Sequence, residues 1–231
     1  MTEADQARAR ASIRRFPLFA ALDNAQLDFL SDGTRILRAA RGDILCDGQA
    51  APAGFYGVLD GRLKLALLSP GGREHVFDIL QPGMSFGEYS IQKGAPCPLY
   101  AEALMRTELL FLGRDQMLSA MERWPQLGLS LVNTLSDRMH RLLNNLATCC
   151  LQSASERVAS YLLSEIKVNG DRHAVGTVTL PACKAIVACS LDLSPETFSR
   201  ELHQLERDGV LLVNRRSIHI FDLDRLRRLA T

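Results

Sequence analysis

Hydrophobic positions change period several times along the chain, and each change marks a different kind of element. Residues 12–32 carry Phe16-Pro17-Leu18-Phe19, then Leu22, Leu27, Phe29 and Leu30. Helical spacing after Asp23 predicts a short helix packed on the neighbouring segment. From residue 34 to about 112 the pattern becomes short alternating runs separated by Arg41-Gly42-Asp43, Asp47-Gly48, Asp60-Gly61, Pro70-Gly71-Gly72, Pro82-Gly83 and Phe86-Gly87. Residues 61–67 and 74–80 alternate with the period of half-buried strands. Many short strands at regular spacing predict an antiparallel sandwich or jelly roll.

Residues 114–123 read as a brief helix ending near Trp124-Pro125, followed by a long helix over about 126–150. On it Val132, Leu135, Met139, Leu142, Leu146 and Cys149 succeed one another at spacings of 3, 4, 3, 4 and 3. That mean spacing is a coiled-coil seam and predicts a parallel homodimer. A helix buried within one subunit is the alternative. Leu131, Leu143 and Ala147 sit beside the seam, positioned to pack on the barrel. Periodicity restarts at Leu151-Gln152-Ser153. The chain is thus divided into a sensor domain (1–125, an N-terminal helix plus a jelly roll), a dimerisation helix (126–150) and a C-terminal domain (151–231).

The most informative stretch begins at Ser194 and ends at Gly209. Ser194 can cap the first amides, Pro195 suits the first helical position and Gly209 suits a left-handed exit. Phe198, Leu202 and Leu205 share one stripe, while Glu196, Ser199, Arg200 and His203 share the other side. A short helical pattern over 181–189 and a turn at 190–193 precede it. Two apolar runs, 210–213 and 217–221, flank Asn214-Arg215-Arg216 after it. Helix, turn, helix and basic hairpin make a winged helix-turn-helix, and its second helix is suited to the DNA major groove. Taken alone, the 194–209 helix could equally be an ordinary amphipathic surface helix; its neighbours decide.

Composition adds limits. The 231 residues are 47% hydrophobic with a formal net charge of +1, as expected of a globular protein. Residues 151–231 hold 11 Lys and Arg against 10 Asp and Glu, so any basic footprint must be local: Lys184, Arg200, Arg215 and Arg216. The charged start carries no secretory signal and no apolar run reaches membrane-span length, so the expected location is cytoplasmic, with six cysteines expected as thiols. No nucleophile–base set or metal-spaced His/Cys cluster is evident, and a non-enzymatic role is expected.

The order of these parts resembles the CRP/FNR superfamily of bacterial transcription regulators over essentially the whole chain. Its sharpest motif is Glu196-Thr197-Phe198-Ser199-Arg200. The barrel adds Arg41-Gly42-Asp43, Gly48, Asp60-Gly61 and Pro82-Gly83 through Phe86-Gly87-Glu88. The resemblance implies an α+β chain: a cyclic-nucleotide-binding-type jelly roll, a dimerisation helix and a winged helix-turn-helix. Glu196, Ser199 and Arg200 match the Glu-x-x-Ser-Arg of the FNR and DNR branches, which read TTGAT half-sites. The chemistry agrees, since arginine donates bidentately to guanine and glutamate accepts from cytosine. Lys184, Thr197, Arg215 and Arg216 are expected on DNA phosphates. A solvated turn is the alternative for the last two, and His203 touches backbone or nothing. Implied partners are a palindromic double-stranded promoter site, a second copy of the chain and RNA polymerase, with no membrane.

The signal is read mainly from departures. Gly87-Glu88 matches the ribose-binding pair of cyclic-nucleotide binders, but Pro96-Cys97-Pro98-Leu99-Tyr100 lacks their phosphate arginine. A cyclic phosphate would bury its charge unpaired, so cyclic AMP is not expected. No cysteine precedes Cys46, so the iron–sulfur cluster of the FNR branch is not expected either. The resemblance is then nearest the DNR-like group, regarded as sensing nitric oxide through haem b. His75, sharing a strand face with Phe77 and Ile79 and so expected to point into the barrel, and His140 are the candidate iron ligands. For each singly, a satisfied core or solvated histidine is the simpler reading. Cys149 and Cys183 offer a competing thiol-redox switch. A cyclic-nucleotide-type regulatory module controlling another protein is the reading from a different class, and it leaves the 194–209 helix unexplained.

Overall fold

The computed structural model describes residues 3–49, 52–69, 74–88, 99–168 and 176–230; the side chains of 3–6, Cys149 and Val168 are also outside the description. The chain divides into two compact units, Met1–Glu74 with Asp78–Arg141, and Leu142–Thr231 with His75–Phe77.

The first unit is an antiparallel sandwich preceded and followed by helices. Its strands are β1 (Thr34–Ala39), β2 (Ile44–Asp47), β3 (Gly54–Asp60), β4 (Leu63–Leu68), β5 (Glu74–Leu80), β6 (Ser85–Phe86), β7 (Leu99–Ala103) and β8 (Thr107–Gly113). They form two sheets, in the orders β1-β8-β3-β6 and β2-β7-β4-β5. The expected jelly roll is present. The expected alternation on β4 is not: Leu63, Lys64, Leu65 and Ala66 are all buried. Lys64 is buried because it bridges Glu74 at 2.7 Å and Glu102 at 2.8 Å, so two carboxylates stand in for lost water.

Helix α1 (Glu3–Ile13) was not legible in the charged N-terminus, which has almost no amphipathic pattern; it ends in the fully buried Ile13. Helix α2 (Asn24–Asp32) starts where predicted, because the Asp23 carboxylate accepts the Gln26 N–H and the Gln26 side chain accepts the Asp23 N–H, a capping box. These elements, with α3 (Arg114–Arg123), enclose a core in which Phe16 packs edge-on to Phe55 at 5.6 Å. Phe16 also lies across Gly57, where a Cβ would fall 2.2 Å from its ring. Glycine is therefore required there by space.

Helix α4 (Pro125–Leu151) replaces the predicted 126–150. Its first turns bury Leu127 and Leu131 in that core, with Leu135 packed at its edge. Val132, Met139, Leu142 and Leu146 are exposed in the single chain, as are Leu143 and Ala147. The expectation that Leu143 and Ala147 pack on the barrel is thus corrected; only Leu131 of that trio does. The Cys149 side chain lies outside the described residues.

The second unit contains α5 (Ala154–Glu165), β9 (Lys167–Val168), β10 (Gly176–Thr179), α6 (Lys184–Ser190), α7 (Pro195–Arg207), β11 (Leu211–Asn214), β12 (Ser217–Ile220) and α8 (Leu223–Leu229). The loop expected at Asn169-Gly170-Asp171 is outside the described residues, as is Pro70-Gly71-Gly72. Strands β11, β12, β10 and β9 form one antiparallel sheet. The β11–β12 hairpin pairs Asn214 with Ser217 and so turns on two residues, with Arg215 at φ +54°. Val158, Leu162, Val187, Phe198, Leu202 and Ile218 are fully or almost fully buried.

Phe16 fills the space above Gly57 and contacts Phe55, so Phe16→Ala should cost about 3–5 kcal/mol of stability. Urea denaturation of the variant measures it.

Candidate nucleic-acid interface and the acidic pole of the barrel

Helix α7 begins as its sequence dictates. The Ser194 hydroxyl accepts the Thr197 N–H at 3.2 Å, Pro195 occupies the first turn, and Gly209 exits at φ +70°. Phe198, Leu202 and Leu205 are 0%, 1% and 6% exposed, fixing one face in the core. Glu196 and Arg200 are exposed on the other, and Ser199 is half-buried. Arg200 has one weak local partner, Glu201 at 3.7 Å. Its guanidinium is open to an incoming acceptor. The Glu196 carboxylate is held below its ordinary range by its own backbone N–H and then by the Ser194 hydroxyl. It is therefore ionised at neutral pH, an acceptor with no proton to give.

The four residues expected on phosphate fall differently. Thr197 is half-buried and its hydroxyl oxygen accepts from Ser194 at 3.1 Å. Lys184 is half-buried in the first turn of α6. Arg215 is exposed at the hairpin tip. Arg216 donates to the Pro181 carbonyl at 3.2 Å, so it braces the hairpin against the segment entering α6.

Two residues that sequence reasoning missed hold this unit together. Arg157 of α5 donates through Nη1 to the carbonyls of Leu191 and Asp192 at 3.0 and 3.1 Å. That fixes the turn between α6 and α7, where Asp192 has φ +53°. Glu206, near the end of α7, accepts the Val213 N–H of β11 at 3.1 Å. Both charges have the wrong sign for their end of the helix: a cation in the first turn of α5 and an anion in the last turn of α7. That mismatch is the signal the sequence offered.

Along β5 the strand faces differ from expectation and lead to an unexpected cluster. Val76 and Leu80 are the buried positions of β5. His75, Phe77 and Ile79 therefore lie on the opposite face, and the His75 side chain is 45% exposed. His75 does not point into the core, which overturns the sequence-based expectation. Alternation places Asp78 on the Val76–Leu80 face instead. Asp78 lies 3.9 Å from Arg138 of α4, and Arg138 also reaches Glu88 at 3.2 Å and the Ser85 carbonyl at 2.9 Å. Glu88, the residue matching the ribose-binding position, is only 2% exposed and accepts from the Ser85 hydroxyl. Burial pushes the Asp78 carboxyl up; Arg138 and Arg141 oppose this and Glu88 adds to it. Residues 89–98, where the phosphate arginine would fall, are outside the described residues.

The remaining candidates are scattered. His140 is exposed on α4. Cys183 is exposed at the cap position of α6, Cys150 is exposed and Cys46 is buried. Among the described residues no three His, Cys, Asp or Glu side chains cluster as metal ligands, and no helix is long and apolar enough to cross a membrane.

Comparison with known proteins agrees with this layout. Residues 36–123 match the cyclic nucleotide-binding domain family and residues 156–229 match the Crp-like helix-turn-helix domain family. A nitrogen fixation regulation protein FixK from Azorhizobium caulinodans is 30% identical, over 85% of this chain and 79% of its own. A CRP-like cAMP-activated global transcriptional regulator from Mycobacterium tuberculosis is 28% identical over 76% of this chain and 79% of its own. The structure of FixK2 from Bradyrhizobium japonicum superposes with a TM-score of 0.73 at 26% identity, covering 86% of this chain and 98% of that one. The chain belongs to the CRP/FNR family of transcription regulators: an effector-binding domain of the cyclic-nucleotide-binding type joined to a DNA-binding helix-turn-helix.

Burial raises the folded-state pKa of Asp78, so the folded protein binds the extra proton more readily than the unfolded chain. Stability then falls as pH rises from the usual carboxylate range through the raised value. Asp78→Asn should raise the melting temperature at pH 7.5 by roughly 2 °C and by less at pH 4.5. A scanning-fluorimetry pH series checks the difference.

Proposed function

We propose that this regulator binds as a homodimer to a palindrome of TTGAT-like half-sites, with Arg200 on guanine, Glu196 on the cytosine amino group and Ser199 alongside. The observation that carries the reading is the disposition of α7. Its apolar stripe is sealed in the core, while an open guanidinium and an ionised carboxylate stand one turn apart on the opposite face. Lys184, Thr197 and Arg215 would then meet phosphate, and Arg216 would set the hairpin that presents Arg215. The homodimer reading rests on Val132, Met139, Leu142 and Leu146, which leave a 3.5-residue apolar seam uncovered on α4. RNA polymerase is the proposed further partner, from the family's role in transcription.

The effector is proposed to act at the pole where Glu88, Asp78 and Arg138 meet, because this is where the barrel grips α4. Two carboxylates beside one guanidinium make the described part of that pole hostile to a phosphate anion. Cyclic AMP is therefore not proposed, although the mycobacterial relative is named as cAMP-activated. Haem-borne nitric oxide, the signal of the DNR-like branch, has no support from His75, on the half-buried outer face of β5, or from His140, exposed on α4. In the single chain neither histidine supplies a buried ligand, and no step is assigned to haem. A second reading, thiol oxidation, is favoured by the exposure of Cys183 at the start of α6, next to Lys184. Cys149 remains part of that reading through its seam position alone.

Fluorescence anisotropy should show at least tenfold tighter binding to a TTGAT palindrome than to a scrambled duplex, and Arg200→Ala should erase most of that ratio. Equal binding of both duplexes by the unmodified protein would remove the half-site reading. For the signal, a haemin titration with nitric oxide should give no stoichiometric Soret shift. Peroxide should weaken DNA binding in the unmodified protein and leave Cys183→Ser unaffected.

A further inference from the structure

Helix α7 carries one more group aimed away from the core, and it is held there by a partner whose position is itself fixed. His203 lies seven residues beyond Glu196, which returns it to within about 20° of the same direction, about 10 Å further along the axis. Its side chain is 66% exposed and its Nδ1 is 3.4 Å from Glu206 Oε2. The other oxygen of that carboxylate, Oε1, accepts the Val213 N–H of β11 at 3.1 Å. Glu206 is thus spanned between the reading helix and the adjoining hairpin, and Lys184 of α6 also acts on its charge. With Nδ1 donating to the carboxylate, Nε2 faces outward; in the imidazolium form, which a phosphate placed beside the ring favours, Nε2 is a second donor.

The plain alternative is weaker. A merely solvated histidine would have no reason to share a carboxylate that already anchors β11. A carboxylate near the C-terminal end of a helix is disfavoured by the helix dipole, so Glu206 is placed there against a local preference. Its two contacts account for it: one to the hairpin backbone and one to His203.

We propose that His203 is a further DNA-contacting residue, donating from Nε2 of its imidazolium form to a phosphate at the edge of the groove in each half-site, and that Glu206 is its positioning residue. This rests on α7 being the reading helix. It extends the interface by about two turns beyond Glu196. It also makes Glu206 the point where the tilt of the hairpin and the reach of the helix are set together, since Oε1 and Oε2 belong to one rigid group.

The test uses the full-length protein and two duplexes, one with a TTGAT palindrome and one scrambled, with single methylphosphonate substitutions walked along the backbone flanking each half-site. The unmodified protein should lose about tenfold in affinity at one such neutralised phosphate per half-site, the size of a lost charge-assisted hydrogen bond. His203→Ala should be about tenfold weaker on the unsubstituted duplex and indifferent to methylphosphonate at that one position, with other phosphates still sensitive. Glu206→Gln keeps an acceptor for Val213 N–H and should show the same loss of sensitivity at the same phosphate. The double variant should bind no worse than His203→Ala. If His203→Ala retains the full phosphate profile and affinity, the proposal is overturned. If Glu206→Gln keeps that sensitivity, the positioning role is overturned. Failure of the half-site reading would show separately, as equal affinity of the unmodified protein for the two unsubstituted duplexes, and the methylphosphonate comparison can still be made on either.

Discussion

A carboxylate at 2% exposure can be kept in a protein only if something replaces the water it has lost. For Glu88 the replacement is Arg138, reached from helix α4, with the Ser85 hydroxyl and a second carboxylate, Asp78, close by. This contact makes α4 part of the barrel in charge as well as in packing. The helix enters with Leu127 and Leu131 in the hydrophobic core and then delivers a guanidinium to the buried carboxylate that requires it. Anything that competes for Glu88 or alters Asp78 must act on α4, because Arg138 is the cation that bridges the two. In the proposed reading, this contact is how a signal received in the sandwich would reach the helix that carries the exposed apolar seam.

The DNA-binding unit is organised by a different balance. Burial of Phe198, Leu202 and Leu205 decides which way α7 faces, and this strongly non-directional term cannot by itself fix the turn before the helix or the hairpin after it. Hydrogen bonds do that work. Arg157 holds the carbonyls of the α6–α7 turn, Arg216 ties the hairpin to Pro181, and Glu206 ties α7 to β11. Each donor or acceptor reaches a backbone group, so the geometry of the reading surface is set by main-chain contacts and does not depend on the side chains free to meet DNA. That separation lets Glu196 and Arg200 remain exposed without loosening the frame that aims them.

The start of α2, the capping of α7, the strand at residues 74–80, the hairpin and the long helix were all legible in short-range pattern, where the causes lie within a few residues of the effect. Other parts were misread for a shared reason. Period-2 alternation places His75 and Asp78 on opposite faces of β5, but it does not say which face is inside. His75 with Phe77 and Ile79 looked like the apolar face, and the true inner face contains an aspartate because Arg138, sixty residues later, makes a buried charge tolerable. Lys64 misled in the same way, since a lysine in a strand suggests solvent until Glu74 and Glu102 arrive from neighbouring strands. Helix α1 escaped notice because it has scarcely any polar–apolar asymmetry; among its described residues Ile13 and Ala9 are buried, and Arg8 and Arg10 pair with Glu108 and Asp28.

By itself the sequence determined the kinds of element, their order, the caps that begin and end α7, and the residue types offered to DNA on its outer face. These come from backbone preferences and hydrophobic period, which act over one or two turns. Only the tertiary structure decided that Glu88 is neutralised from α4, that His75 faces outward, and that Glu206 links the reading helix to both its hairpin and His203. Those arrangements depend on how the helix, strand and hairpin come together in space. Their free energy depends on mutual distance and lost hydration, neither of which exists until the chain has folded.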